Sequence, residues 1–171
     1  MSKHYATITE VFDFGPHISK VILDTGCELA GARLSPAQFE VEVTRTSTQG
    51  EDFVWPQFMG AKPDDSMHGI RTVTGLYLSD ANGNPAQSGT HLTLEMYCHP
   101  MQGLGSTIRF DGRYNVSVNV AYTITQKEPI RTDGGVLEGM VFDKNDGNRT
   151  VYGDLLQTAS FSHPDTPLSY V

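Results

Sequence analysis

The sequence has little cysteine, little positive charge and no long apolar run. Its 171 residues include only Cys27 and Cys98, too few for a disulfide scaffold and without metal-knuckle spacing. Lysine and arginine number 12 against 20 aspartate and glutamate residues, so the net charge is −8. Because an acidic surface repels phosphate backbones and anionic lipids, we expect no nucleic-acid or membrane partner. The absence of about 18 consecutive apolar residues excludes a membrane-spanning helix.

The N-terminus also lacks the apolar block of a signal peptide, which predicts a cytoplasmic protein, or a secreted one if a leader has been removed. A chain of this length suits one domain and buries roughly 70% of its unfolded surface, so it needs no metal or disulfide to fold. We therefore expect both cysteines to be reduced, with Cys98 packed in the core. A bridge from Cys27 to Cys98 is the alternative.

Apolar and polar residues alternate with a period of two through most of the chain. Residues 39–46, 92–98 and 116–124 alternate apolar and polar side chains, the pattern of a strand with one face in a core. Weaker strand patterns lie at 5–14, 18–24, 70–79, 137–142 and 151–161. These segments predict about eight strands.

Turn residues separate these strands, and helix signals are nearly absent. The segments 80–85 and 143–148 are rich in Asp, Asn and Gly, which favour chain reversals. The one helix signal is Ser35-Pro36-Ala37-Gln38, with an N-cap, a proline and a capping-box glutamine. Many short strands and one helical turn near 35–38 predict an all-β sandwich of about 7–9 antiparallel strands.

Residues 47–69 form a long connection that contains Phe53, Trp55 and Phe58 among glycine, proline and aspartate. Long connections are unusual in compact domains and often bind a partner. The alternative is that these aromatic side chains fold back and close one end of the sandwich. We predict Phe53, Trp55 and Phe58 as interface residues.

The sequence offers no recognisable catalytic or metal centre. The G-x-S-x-G motif of esterases is missing, and a triad of Ser106, His99 and Asp111 would depend on spatial placement that the sequence does not indicate. Cys98, His99 and Met101 resemble copper ligands, but adjacent strand residues point to opposite faces. The segment 143–147 resembles a calcium loop with its glycine misplaced, and a turn is favoured there. We therefore predict no catalytic, cofactor or metal residues.

Several motifs, taken in order, resemble the immunoglobulin-like N-terminal domain of bacterial α/β-hydrolase esterases. The segments that carry the resemblance are Ile8–Val11, Asp13–Pro16, Lys20–Leu23, Phe39–Arg45, Tyr77–Asp80, Gly83–Pro85, Gly89–Glu95 and Tyr122–Gln126. They cover most of residues 5–126. Phe14 departs from the family pattern, which has tryptophan there, and residues 52–68 do not match.

The resemblance implies a non-catalytic accessory domain of a carboxylic ester hydrolase. Such a domain acts through contacts with its own esterase domain, or with neighbouring subunits of a homo-oligomer, and helps to shape the active-site entrance. We expect an Ig-like domain over 1–163, and a linker with the start of the downstream esterase domain over 164–171. None of the positions that match the family is catalytic, and no cofactor is implied.

A carbohydrate-binding β-sandwich is the alternative function. Aromatic faces stack on sugar rings, and Asp, Asn or Gln side chains bind the hydroxyl groups. The sequence contains a single tryptophan, Trp55, so this prediction depends on one residue of the 47–69 connection.

Overall fold

The structure is a computed structural model that describes residues 2–55, 58, 60 and 65–151, and the backbone of 152, 161–163 and 166–168. Within these ranges lie fourteen strands and the short 3-10 turns Pro36–Gln38 and Gly103–Gly105. The strands are β1 (Ser2–Phe12), β2 (Gly15–Asp24), β3 (Phe39–Thr46), β4 (His68–Arg71), β5 (Val73–Ser79), β6 (His91–Met96), β7 (Ile108–Phe110), β8 (Asn115–Ser117), β9 (Asn119–Gln126), β10 (Ile130–Thr132), β11 (Gly135–Leu137), β12 (Val141–Tyr152), β13 (Phe161–His163) and β14 (Thr166–Leu168).

Eight strands form one curled sheet in the order β4-β3-β9-β12-β1-β2-β6-β5. The two outermost strands, β4 and β5, are joined by the single residue Thr72, whose carbonyl accepts a hydrogen bond from Tyr97 N. The sheet therefore bends back until its edges meet, and its two halves pack face to face as a β-sandwich. The pairs β7–β8, β10–β11 and β13–β14 are separate two-stranded ladders.

The sandwich encloses one apolar core to which both halves contribute. In β3, Phe39, Val41 and Val43 are buried while the residues between them are exposed, as the alternation predicts. The other half supplies side chains from β2 and β6, including Leu23 and Leu94, which are fully buried. The predicted all-β sandwich is thus confirmed, and the helical turn at 36–38 begins with Ser35 N–H donating to Gln38 Oε1 at 2.9 Å.

Two sequence predictions about the region of β12 are wrong. Residues 143–148, predicted as a turn, lie inside this continuous strand, and β12 pairs with β1 in parallel rather than antiparallel. The polar side chains project into solvent, and Thr7 and Thr9 both donate to Asn148 Oδ1. The register shifts twice along the pair, and Gly147 adopts a φ of 144°, which glycine tolerates.

The predicted linker and downstream start at 164–171 lie mostly outside the described residues. Of this segment the structure describes the backbone of Thr166–Leu168, which pairs with Phe161–His163. In the described part of the chain, no helix has the length and apolar character needed to cross a membrane.

Candidate functional site

Two buried arginines hold the irregular segment that follows β6. Arg45 on β3 is 1% exposed. Its Nε donates to the Ser106 carbonyl at 2.9 Å, one terminal nitrogen donates to the Ser66 carbonyl at 2.9 Å, and the other donates to the Ile108 carbonyl at 2.8 Å. The planar guanidinium thus fixes three backbone positions of different segments at once.

Arg71, at the end of β4, also holds this segment through hydrogen bonds of its guanidinium. It is 2% exposed and donates to the Tyr122 hydroxyl at 2.7 Å and to the carbonyls of Ile18 and Tyr97 at 3.1 and 3.0 Å. Burial raises the pKa of Tyr122 to about 12, and the Arg71 guanidinium opposes this rise. A Cβ at Gly105 would lie 2.8 Å from the same guanidinium, so a larger residue here would displace the Arg71 side chain.

His17 lies close to both arginines, and with Arg45 and Arg71 it forms what we call the arginine cluster. Its side chain packs edge-on against Phe12 and Phe14, and the residue is 4% exposed. Within the described residues neither ring nitrogen makes a hydrogen bond of ordinary geometry, but the backbone at Gly15 and Gln102 lies close enough to interact weakly with the ring. Burial lowers the pKa of His17 and the two arginines lower it further, while the nearby backbone at Gly15 and Gln102 opposes the shift.

A surface pocket of about 300 Å³ lies against the arginine cluster. His17, Arg45, Arg109 and Asn115 are among its polar lining residues. The lining also includes apolar side chains, those of Phe14, Pro100, Ile108 and Phe110. The combination of apolar walls with a few polar groups is typical of small-ligand sites.

The three residues considered for a triad are each engaged in a local turn. Ser106 Oγ donates to the Ile108 carbonyl and accepts from Ile108 N. His99 Nδ1 accepts from Met101 N at 3.2 Å. The Asp111 carboxylate accepts from two backbone N–H groups of its hairpin, which lower its pKa. None of these contacts joins one of the three residues to another.

The two cysteines and the residues considered as metal ligands form neither a disulfide nor a ligand group in the described part of the chain. Cys27 and Cys98 are free thiols, and burial raises the pKa of Cys98, so this thiol is not an activated one. Met101 is 86% exposed. Among the described residues no three His, Cys, Asp or Glu side chains are grouped so that they could hold a metal ion.

The predicted interface residues differ in their surroundings. Phe53 is half-buried, with the Arg109 guanidinium 4.6 Å above its ring, and Trp55 is also half-buried. Phe58 is 75% exposed. Arg109 also donates to the Val54 carbonyl at 3.2 Å, which joins this loop to the β7–β8 hairpin. The connection therefore packs in part against the sandwich and in part presents apolar side chains to solvent.

Comparison with known proteins identifies the type of domain. The family model described as "Esterase Ig-like N-terminal domain" matches residues 4–139. The chain belongs to this family. The resemblance noted in the sequence is thereby confirmed, as is the Ig-like character of the sandwich.

A solved structure of this fold is titled "Crystal Structure of a Thermostable Esterase". It superposes with a TM-score of 0.61 at 23% sequence identity, over 96% of this chain. The chain spans 40% of the length of that esterase. A search of curated proteins finds no match.

The arginine cluster was not predicted from the sequence, although the sequence contains one signal for it. Arg45 has the same parity as Phe39, Val41 and Val43, so the alternation of β3 already places it on the buried face. An arginine on the apolar face of a strand must be buried with partners for its guanidinium. His17 carries no comparable signal, because its burial comes from Phe12, Phe14 and the segment after β6.

Proposed function

We propose that this Ig-like domain is a non-catalytic accessory module of a carboxylic ester hydrolase with an α/β-hydrolase catalytic domain. It packs against that domain, or against a neighbouring subunit, and shapes the entrance to the active site. The family match and the structural similarity to an esterase support the association. The engagement of Ser106, His99 and Asp111 in separate local turns supports a role without catalysis.

The observation that carries the interface proposal is a cluster of exposed apolar side chains where the 47–69 connection meets the β7–β8 hairpin. Val54, Phe110 and Tyr114 are 57%, 57% and 59% exposed. Arg109 links the two segments through its hydrogen bond to Val54 and its contact with the Phe53 ring. Neighbouring exposed aromatic and aliphatic side chains are typical of protein interfaces. Phe53, Trp55 and Phe58 stay predicted members of this surface.

The first experiment tests the absence of catalysis. The purified 171-residue chain is assayed with p-nitrophenyl acetate and butyrate, and we expect no turnover above that of the buffer. Ser106→Ala serves as the control for a hidden serine nucleophile. Turnover by the chain that disappears in Ser106→Ala would contradict the proposal.

The second experiment tests the interface in the parent esterase. Phe110→Asp places a charge in the proposed contact, so we expect faster proteolysis between the domains and a several-fold lower kcat/KM for short-chain esters. Val136→Asp is the matched control, because Val136 is 51% exposed but lies on the separate β10–β11 hairpin. Equal rates of proteolysis and equal kcat/KM values for Phe110→Asp and Val136→Asp would refute this interface.

Carbohydrate binding stays the alternative prediction, and Trp55 gives a direct test of it. Trp55 is the single tryptophan of the chain, so its fluorescence reports on this loop alone. If the domain is an esterase module, titration with cellulose, xylan, starch and chitin fragments leaves the emission unchanged. A saturable change with one of these glycans would favour the carbohydrate-binding function.

A further inference from the structure

The neighbouring strands β9 and β12 diverge soon after they meet. They pair only at Val141 and Phe142 of β12, whereas β12 follows β1 along nearly its whole length. Past this short ladder, the N–H of Tyr122 on β9 donates to the Tyr5 hydroxyl at 2.9 Å. A side chain, rather than a strand, therefore satisfies this backbone group, and a gap lies between the two strands.

The backbone of Val120 faces this gap. In an antiparallel strand the N–H and C=O groups of every second residue point to the same side, and β9 pairs with β3 without a register shift. Val118 N–H donates to the Thr107 carbonyl and Tyr122 N–H donates to Tyr5, and neither acceptor belongs to β3. The N–H and C=O of Val120, which lies between these two residues, also point away from β3. No strand in the described part of the chain pairs with Val120 on that side.

A cleft of about 500 Å³ lies between the two strands. Val120 lines it, and the apolar side chains of Ile18, Ile108 and Val118 contribute to the same lining. The volume is in the range of ligand sites, and apolar lining of this kind accommodates a short aliphatic side chain.

Two asparagines of β12, Asn145 and Asn148, also line the cleft and offer hydrogen-bond donors. Gly147 N–H donates to Asn145 Oδ1 at 2.9 Å, and the Thr7 hydroxyl donates to Asn148 Oδ1 at 2.8 Å. These contacts hold the oxygen end of each amide. Among the described residues neither Nδ2 group donates to the protein, so each can donate to a ligand.

Asn119 of β9 lines the cleft and offers the opposite kind of group. Its Nδ2 donates to the Ser47 carbonyl at 3.0 Å, which leaves its Oδ1 as an acceptor. The cleft thus combines donors from β12 with an acceptor from β9 and with the N–H and C=O of Val120. The backbone of an extended peptide carries the complementary alternation of carbonyl and N–H groups, and such peptides add to open strand edges.

We infer that this cleft binds an extended, uncharged peptide segment. Its backbone hydrogen-bonds to Val120 and to the amides of Asn145 and Asn148, and an aliphatic side chain lies against Ile18 and Val118. This inference goes beyond the proposed function and does not depend on it, because the cleft lies within this domain and binding can be measured on the 171-residue chain alone.

The test follows the isotope-labelled 171-residue chain by NMR while N-acetyl-alanyl-valyl-alanine amide is added. We expect saturable shifts of the Val120 backbone amide and of the side-chain amide signals of Asn145 and Asn148. The same peptide with an N-methyl group on its valine lacks the central donor, so it should bind about fivefold more weakly or less. Methyl glucoside, which offers hydroxyl groups alone, should give no saturable shift of these signals.

Asn145→Asp and Asn82→Asp form a matched pair of variants. In Asn145→Asp an oxygen still accepts from Gly147 N–H, but a second acceptor replaces the donor, so affinity for the peptide should fall about fivefold or more. Asn82→Asp makes the same change in the exposed 80–85 turn and should leave the affinity as it is. A non-saturable response to the peptide, equal affinity for its N-methyl form, saturable binding of methyl glucoside at the same signals, or equal affinities of the two variants would each overturn the inference.

Discussion

The apolar core and the arginine cluster are both buried, but they are held together in different ways. In the core, regular strands bring Leu23, Leu94 and Phe142 into one apolar cluster, and their backbone groups are satisfied by the sheet. In the arginine cluster, Arg45 and Arg71 donate hydrogen bonds to carbonyl groups of chain that runs outside the main sheet.

The difference shows how an irregular segment can be fixed without secondary structure. The carbonyls of Ser66, Tyr97, Ser106 and Ile108 accept hydrogen bonds from arginine side chains that project from β3 and β4. Each guanidinium offers five donors in a rigid plane, so one side chain can satisfy several backbone groups. Loss of apolar contacts should therefore weaken the whole domain, whereas loss of an arginine should loosen one segment.

Phe142→Ala is expected to have the largest effect. Phe142 is fully buried, and its ring packs edge-on against Phe39 at 6.2 Å between centroids. The cavity should lower the free energy of unfolding by about 3–5 kcal/mol, measured by urea denaturation. Amide exchange should accelerate in both regions, because global unfolding exposes both. A loss below about 1 kcal/mol would mean that the core relaxes around the cavity.

Arg45→Met should lower the free energy of unfolding by less than Phe142→Ala does, and it should loosen mainly the segment that Arg45 holds. Removal of the guanidinium leaves the carbonyls of Ser66, Ser106 and Ile108 without these donors, and we expect a loss of about 2–4 kcal/mol. Hydrogen–deuterium exchange should rise at residues 103–108 before it rises in β2. Arg45→Lys, which keeps the charge but not the planar fork, should recover only part of the loss. Uniform acceleration throughout the chain would contradict this local role.

His17 gives the arginine cluster a pH dependence that the apolar core lacks. Because burial and the arginines lower its pKa in the folded state below the ordinary value of 6.5, the unfolded chain binds the proton first as the pH falls. The contribution of His17 to stability is thus complete above this value and is lost as the pH drops below it. Denaturation between pH 8 and 5 should show this slope, and His17→Gln should reduce it. An unchanged slope in His17→Gln would contradict this assignment.

Lys127→Ala is expected to have the smallest effect. Its ammonium group lies 3.0 Å from Glu40 Oε1, and the two side chains are 49% and 44% exposed. Surface ion pairs of this kind contribute about 0–1 kcal/mol, so the change should be close to the error of a urea titration. A larger loss would show that this pair matters to the neighbouring turn at 36–38.

The parts of the fold that follow from local pattern were predictable from the sequence. The alternation of 39–46 gave the bounds and the buried face of β3, and the capping signal of Ser35 and Gln38 marked the helical turn. The strand conformation of 143–148 could not be predicted from the sequence, because its hydrogen bonds come from β1, which is far away along the chain. β9 pairs only with the start of β12, so the side chains of 143–148 are exposed and polar and carry no alternation from which a strand can be predicted.

The candidate site was less predictable than the fold. The sequence indicated the aromatic connection, and Phe58 is indeed exposed, but the role of Phe53, Trp55 and Phe58 in an interface stays a prediction. The pocket depends on Phe14, His17, Arg45 and Phe110, which come from three separate parts of the chain. Only the curled sheet brings them together, and no local pattern specifies that.

The parallel pairing of β1 with β12 has a consequence for how the protein is made. Ser2 pairs with Val141, so the second edge of β1 is covered only when a strand far later in the chain is in place. Closing so long a loop slows folding, and an uncovered strand edge is a template for association with other nascent chains. We therefore expect this domain to depend on chaperones during synthesis more than its size alone suggests.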